Sequence, residues 1–202
     1  MRSVLGARRL FGYGCGMQRF VPSLAALLAL PIVAAAATPP PAVHNPAKHT
    51  AQAQSINKLG GAQGWEAYVD AAHGAKICYL IGKPGKSEPA KIKRGPVFAS
   101  VTHRPAEKRF NEVSFTSGYL FKDGSDAELS IDGKKFSLFT NKDGAWTRDA
   151  ATDKAVVEAL AKGKQATIKG TSARGTATTD TYSLAGFSKA LEDVDKACGV
   201  KR

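Results

Sequence analysis

The sequence predicts a mainly β protein: an antiparallel β-sandwich or barrel-like domain with one or two short helices, including a C-terminal helix. Three observations support this fold class. Many short segments are rich in β-branched and aromatic residues, turn dipeptides separate them, and two short segments have apolar residues at helical spacing. Many short strands separated by turns are typical of a sandwich or a barrel. We therefore expect one domain over residues 62–202.

Eight segments have the composition and the frequent period-two alternation of strands. They cover residues 65–69, 76–81, 97–101, 113–117, 127–131, 135–140, 165–169 and 176–184. Asp132-Gly133 lies between two of them and strongly indicates a hairpin, because a type I′ turn needs positive φ at both central residues. Asp123-Gly124 and Asp143-Gly144 predict further turns.

Two segments are predicted to be helices. The first runs from Asp153, the expected N-cap, to Gly163, the expected C-terminal stop. The second runs from Phe187 to Cys198, and its apolar residues recur on one face. Cys198 follows Val194 by four residues and therefore lies on this apolar stripe.

Residues 1–37 have the pattern of a secretory signal peptide. The n-region is positively charged. It contains Arg2, Arg8, Arg9 and Arg19 and no acidic residue. An apolar run follows and ends in small residues, so we expect cleavage after Ala37, with Met17 as an alternative start. Because Pro22 and Pro31 interrupt this run, it is shorter than the roughly 20 apolar residues of a membrane-spanning helix. We expect no transmembrane segment in the mature chain and a location in the periplasm or cell envelope.

Residues 38–61 are predicted to be a flexible linker, because they are rich in Pro, Ala and Gln and poor in large apolar residues. The full chain has a net charge of +12, and removal of the four signal arginines leaves +8. Export separates the protein from cytoplasmic nucleic acid, so we expect no nucleic acid partner for this positive charge. An envelope protein or an anionic envelope component is the expected partner. Positive charge that serves only solubility is the open alternative.

Two cysteines are expected in the mature chain. Cys15 precedes the cleavage site, which leaves Cys78 in a predicted strand and Cys198 in the last helix. An even pair in an oxidising compartment favours a disulfide. The apolar stripe directs Cys198 toward the sheet, as a bridge to Cys78 requires. Two free thiols are the alternative.

The sequence contains few signals of catalysis. Residues 170–175 are glycine-rich but lack the Gly-Lys-Ser/Thr sequence of a phosphate-binding loop, so a hairpin explains them better. His73 and His103 lack metal-ligand spacing and are expected to be surface or hydrogen-bonded structural residues. We therefore expect no enzyme, no cofactor and no metal site. An envelope enzyme with dispersed catalytic residues and a structural envelope component without a specific ligand are the open alternatives.

Four arginines are the candidates for binding an anionic partner: Arg94, Arg104, Arg109 and Arg174. A guanidinium group can hold a carboxylate or a phosphate through two parallel hydrogen bonds. The alternative is an internal ion pair of Arg104 or Arg109 with Glu107 or Glu112.

Nine short segments follow one another in a recognisable order: KICY (76–79), KSEP (86–89), KRG (93–95), VTHRP (101–105), NEVS (111–114), GKKF (133–136), KGTSARGT (169–176), TDTYSL (179–184) and GFSKAL (186–191). Together they resemble the invasion-associated locus B family over residues 65–200. The resemblance implies a Gram-negative envelope protein of mainly β fold, with a family name taken from a role in host-cell invasion in some pathogens. Some relatives carry another cysteine near the first strand, and residues 65–69 have none. We therefore expect an exported, noncatalytic binding or accessory protein. The resemblance further implies a role in host-cell interaction or invasion.

Overall fold

The structure is a computed structural model of the chain, and it describes residues 56–71 and 74–202. The predicted signal peptide (1–37) and most of the predicted linker lie outside the described residues. The end of the predicted linker is wrong: strand β1 spans Ile56–Ala62 and pairs with the next strand from Ile56 onward. Backbone pairing with a neighbouring strand orders this segment although its own side chains are mostly exposed.

The described part of the chain contains eleven strands, two α-helices and a short 3-10 helix at Pro105–Glu107. The strands are β1 (Ile56–Ala62), β2 (Trp65–Asp70), β3 (Ile77–Gly82), β4 (Lys86–Glu88), β5 (Phe98–Arg104), β6 (Arg109–Thr116), β7 (Asp126–Ile131), β8 (Lys134–Asn141), β9 (Gly144–Trp146), β10 (Gln165–Thr171) and β11 (Ala177–Ser183). The helices are α1 (Ala150–Lys162) and α2 (Phe187–Cys198). All strands join one antiparallel sheet in the order β1-β2-β3-β5-β6-β9-β8-β7-β10-β11-β4. The predicted mainly β class with a C-terminal helix is confirmed.

The sheet curls, so strands far apart in its order meet across the core. The indole Nε1 of Trp65 in β2 donates a hydrogen bond to the backbone oxygen of Ser183 in β11 at 2.9 Å. The rings of Phe115 in β6 and Tyr182 in β11 lie 5.8 Å apart. Alternating residues of each strand point inward, which buries one apolar face of the sheet.

All three predicted turns can be compared with the structure. Asp123 and Gly124 form a turn in which the nitrogen of Ser125 donates to the oxygen of Lys122 at 3.1 Å and Gly124 has a φ of 68°, so this prediction is confirmed. Asp132 and Gly133 connect β7 to β8 with φ values of 46° and 91°, so the predicted hairpin is confirmed. The turn predicted at Asp143-Gly144 lies one residue earlier, because Lys142 has a φ of 52° and Gly144 already pairs as the first residue of β9.

The predicted N-cap of the first helix is wrong. Asp149 caps α1 by accepting a hydrogen bond from the backbone nitrogen of Thr152 at 2.7 Å. Asp153 lies inside the first turn and accepts a hydrogen bond from the backbone nitrogen of Val113 at 2.8 Å. Burial raises the pKa of Asp153 despite the hydrogen bonds that it accepts. Asp153 therefore joins α1 to β6.

Helix α2 covers the sheet over β1, β2 and β3. Its apolar residues Phe187, Leu191 and Val194 are buried, as their spacing predicts. The structure contains the disulfide between Cys78 of β3 and Cys198 at the end of α2, with a Cα–Cα distance of 6.0 Å. The bridge and the apolar stripe hold the same helix on the same face of the sheet. Across residues 56–71 and 74–202, no helix has the length and apolar character needed to cross a membrane.

Candidate functional site

A cleft of about 340 Å³ lies where three loops meet, and we call it the basic cleft. The loops are the β4–β5 connection, the segment after β6 and the β10–β11 turn. The residues that line it are Ile92, Lys93, Arg94, Tyr119, Leu120, Ser172, Ala173, Arg174 and Thr176. Two of the four candidate arginines, Arg94 and Arg174, are therefore brought together.

Backbone hydrogen bonds hold the three loops together. The nitrogen of Gly95 donates to the oxygen of Gly118 at 2.8 Å, and the nitrogen of Ala173 donates to the oxygen of Leu120 at 2.7 Å. Gly118 has a φ of 72°, and a Cβ there would lie 2.4 Å from the oxygen of Gly95. Only glycine allows this close approach of two loops. Backbone contacts therefore fix the positions of the loops that form the cleft.

Arg94 forms a buried ion pair at the back of the cleft. Its two terminal nitrogens bind both carboxylate oxygens of Asp180, and one of them also donates to the backbone oxygen of Ser117 at 3.3 Å. The side chains of Arg94 and Asp180 are only 7% and 4% exposed. The hydrogen bond to Asp180 raises the pKa of Arg94. Arg94 thus holds the wall of the cleft, and Asp180 neutralises its charge.

Lys93 and Arg174 give the cleft its positive charge. Both are exposed, and neither forms an ion pair with another described residue. In the part of the chain that the structure describes, no carboxylate lines the cleft. Leu120, at the rim, is 62% exposed. The arrangement can bind an anionic group whose apolar neighbour covers Leu120.

Arg104 and Arg109 lie in a different place, on the β5–β6 hairpin. Arg104 binds Glu112, and Arg109 binds both Glu107, at 3.1 Å, and Glu112. The ion pairs that the sequence analysis left as an alternative are therefore present. Binding of an external anion by these two arginines stays a prediction, and it would compete with two glutamates.

His103 is fully buried, and both of its ring nitrogens have partners. Its Nδ1 accepts a hydrogen bond from the backbone nitrogen of Asn111 at 3.0 Å, so Nε2 carries the proton and donates to Asp195 at 2.9 Å. Asp195 also accepts hydrogen bonds from Arg202. Burial raises the pKa of Asp195, but the bonds from His103 and Arg202 outweigh it and lower the pKa.

The His103 arrangement is that of a structural histidine, as the sequence indicated. In the described residues, no three His, Cys, Asp or Glu side chains come close enough to hold a metal ion.

Sequence reasoning missed Lys93 and Leu120. Lys93 is adjacent to the candidate Arg94, and that adjacency is a usable signal. No local signal marks Leu120. Its backbone oxygen accepts a hydrogen bond from Ala173, about fifty positions away, so its place in the cleft follows only from the folded chain. Asp180 was missed because its partner Arg94 is 86 residues earlier.

Comparison with protein families gives one match. Residues 65–195 match the family described as invasion associated locus B (IalB) protein. Comparisons with curated proteins and with solved structures give no match. The matched range contains every residue that lines the basic cleft. Because it covers well over half of the sequence, the chain belongs to the invasion associated locus B family.

Proposed function

We propose that this protein is an exported, noncatalytic binding module of the bacterial cell envelope, and that the basic cleft binds an anionic envelope component. The observation that carries the proposal is the pair of exposed cations, Lys93 and Arg174, without a carboxylate partner in a cleft that their own loops hold open. Family membership and the N-terminal pattern support location in the envelope.

The chemistry of the cleft favours a phosphate or carboxylate joined to an apolar group. Asp180 neutralises the charge of Arg94, so the net positive charge of the cleft comes from Lys93 and Arg174. Arg174 can bind two oxygens of one anion, and Lys93 adds a compact charge. The exposed Leu120 offers an apolar surface next to them. Anionic phospholipid is the envelope component that combines these two features most simply.

The noncatalytic part of the proposal is supported by the side chains that could transfer protons. Both ring nitrogens of His103 have partners and the ring is fully buried. Asp180 binds Arg94, and Asp153 accepts a hydrogen bond from the backbone of Val113. A general acid or base must reach the substrate proton. His103 and Asp180 are buried, and the carboxylate of Asp153 is held by hydrogen bonds from the Val113 nitrogen and the Thr147 hydroxyl.

The binding proposal is tested with vesicles and a pair of matched variants. The mature chain, without the predicted signal peptide (1–37), is sedimented with phosphatidylglycerol vesicles at low salt, and with phosphatidylcholine vesicles for comparison. We expect binding to the anionic vesicles only, and a loss of about tenfold in the double variant Lys93→Gln/Arg174→Gln. The control, Arg104→Gln/Arg109→Gln, removes the same charge from the β5–β6 hairpin and should bind like the unaltered chain.

Equal losses in the two double variants would contradict the cleft assignment, because overall charge would then explain binding. Sedimentation that does not distinguish phosphatidylglycerol from phosphatidylcholine would contradict the anionic partner.

Export is tested separately. We expect the mature N-terminus to lie between about residues 35 and 40, because small residues precede a proline-rich segment there. Intact-mass measurement on a periplasmic extract of the native host checks this. A cell-associated chain that retains residues 20–30 would contradict export by a cleaved signal.

A further inference from the structure

A second depression crosses the outer face of the sheet, and we call it the aromatic groove. Its larger part, about 550 Å³, extends from β6 and β8 to the beginning of α1. A smaller part, over β5 and β6, adjoins it, and Trp146 lines both. The groove is separate from the basic cleft, and the two have no lining residue in common.

Two aromatic rings form the floor of the aromatic groove. Phe139 of β8 and Trp146 of β9 are directly opposite in the antiparallel register, and their ring centroids lie 5.7 Å apart at an interplanar angle of 30°. A Cβ at Gly144 would lie 2.2 Å from the indole of Trp146, so the indole lies across the bare backbone of Gly144. Trp146 therefore contributes an aromatic surface to the groove, and glycine is required beneath its indole.

The rim of the aromatic groove carries matched charges. Its cations are Arg104, Lys108, Arg109 and Arg148, and its carboxylates are Glu107, Glu112, Asp149 and Asp153. Most of these are held in place: Glu112 binds two arginines, and both oxygens of Asp126 bind Arg148, at 2.7 and 2.8 Å. The guanidinium carbon of Arg148 also lies 5.8 Å from the ring centre of Phe139. The rim is a fixed set of hydrogen-bonding groups around an aromatic floor.

The balance of charges selects the ligand class. An anion would meet the four carboxylates, and a cation would meet the four basic side chains, so neither gains a net attraction. A wholly apolar ligand would cover charged groups without offering hydrogen bonds, which is unfavourable. A pyranose ring has an apolar face of C–H bonds, which the negative face of an aromatic ring attracts. Its hydroxyl groups can donate to the carboxylates and accept from the arginines.

We propose that the aromatic groove is a binding site for a neutral saccharide. The sugar ring stacks on Trp146, and its hydroxyl groups bind Arg109 and Glu112 of the rim and the side chain of Asn141, which also lines the groove. This site does not depend on the anion site proposed for the basic cleft, because its attraction needs no net charge. Saccharide binding should therefore be unchanged in the variant Lys93→Gln/Arg174→Gln.

The two tryptophans make this site accessible to fluorescence. Trp65 is 4% exposed and its indole is hydrogen-bonded in the core, whereas Trp146 is partly exposed in the groove. We would titrate the full chain with chitotetraose, cellotetraose and maltotetraose while acrylamide quenches the exposed indole. We expect at least one of these tetrasaccharides to protect Trp146 from quenching. Chitotetraose represents cell-wall glycan and the two glucose polymers represent soluble polysaccharides, so the preferred sugar indicates the source.

A matched pair of variants locates the binding. Trp146→Ala should weaken saccharide binding at least about tenfold, measured by calorimetry because the fluorescent reporter is lost. The control is Tyr68→Ala, which removes a ring from another cross-strand stacked pair, Tyr68 and Tyr79, 5.4 Å apart on β2 and β3. That variant should bind as the unaltered chain does. Circular dichroism confirms that each variant is folded.

A second measurement needs no variant. Saturation transfer from the protein to the bound sugar should be strongest for C–H protons on one face of the pyranose ring, as stacking requires. Failure of all three sugars to protect Trp146 or to receive saturation would overturn the proposal. A larger loss in Tyr68→Ala than in Trp146→Ala would overturn it as well, because the site would then lie on β2 and β3.

Discussion

The basic cleft and the aromatic groove both contain arginines that the sequence marks as candidates, but their carboxylates lie in different places. In the basic cleft, Asp180 is buried behind the wall, so Lys93 and Arg174 face solvent without a partner. In the aromatic groove, carboxylates lie on the same surface as the cations and bind them. The position of the carboxylates, rather than the number of arginines, therefore sets the kind of ligand that each region can attract.

The largest effect is expected for the buried ion pair of the basic cleft. Asp180→Ala leaves the charge of the buried Arg94 without its carboxylate partner and should lower the free energy of unfolding by about 3 to 5 kcal/mol. Denaturant unfolding measures this. The double variant Arg94→Met/Asp180→Leu is the control and should cost much less, because no unpaired charge remains. Similar losses in the single and the double variant would show that packing, not charge, fixes the cleft wall.

Removal of the disulfide is expected to act on stability and on neither binding region. Cys78→Ser should lower the free energy of unfolding by about 2 to 5 kcal/mol, because the bridge closes a long loop, with a sequence separation of 120 residues. The bridge ties α2 to β3 on the buried face of the sheet, where Cys78 is fully buried, and neither cysteine lines the basic cleft or the aromatic groove. The variant should bind vesicles and saccharides as the unaltered protein does, at a temperature where the variant is folded. A nonreducing peptide map that shows both thiols free in the unaltered protein would contradict the bridge.

A smaller effect is expected at Asp195, which belongs to neither region. Asp195→Ala leaves the Nε2 hydrogen of the buried His103 unpaired and should cost about 1 to 3 kcal/mol. The pKa of Asp195 is lowered from its usual value of 3.8, so its contribution is present above that pH and is lost as the pH falls through the folded pKa. Acid unfolding of the variant should therefore depend less on pH below about 4. Unfolding curves with the same pH dependence would contradict this role.

The smallest effect is expected for two arginines at the rim of the aromatic groove. Arg104→Gln/Arg109→Gln should lower the melting temperature only slightly, because Arg109 is exposed and the pair of Arg104 with Glu112 is only partly buried, so solvent and the entropy of long side chains weaken both interactions. Differential scanning calorimetry measures this. A large fall in melting temperature would indicate that the cluster around Glu112 supports the β5–β6 hairpin.

Much of the fold could be predicted from the sequence, because its long strands and both helices bury apolar residues at regular spacing. Short strands escaped prediction. β4 and β9 have three residues each, and their pairing is decided by neighbours rather than by their own pattern. β1 contains two glycines and few buried residues, so it resembles a linker until β2 pairs with it.

Less of the candidate site could be predicted. The ion pairs of Arg104 and Arg109 join residues close in sequence, and a hairpin makes such pairs easy to anticipate. Arg94 and Asp180 are 86 residues apart, and His103 and Asp195 are 92 apart, so only the folded sheet brings them together. The Phe139–Trp146 pair had a signal that was not used: both residues flank the turn at Lys142 and Asp143 at equal distance.

The response of the two binding regions to salt tests the central account most directly. Vesicle binding and saccharide binding are measured on the same unaltered protein between low salt and about 1 M, where the screening length falls to about 3 Å. We predict that binding to phosphatidylglycerol vesicles falls at least about tenfold, because it depends on the exposed charges of Lys93 and Arg174. Saccharide binding should stay within about twofold, because the aromatic groove has no net charge to screen. Equal responses of the two ligands to salt would contradict the claim that the balance of charge distinguishes the two regions.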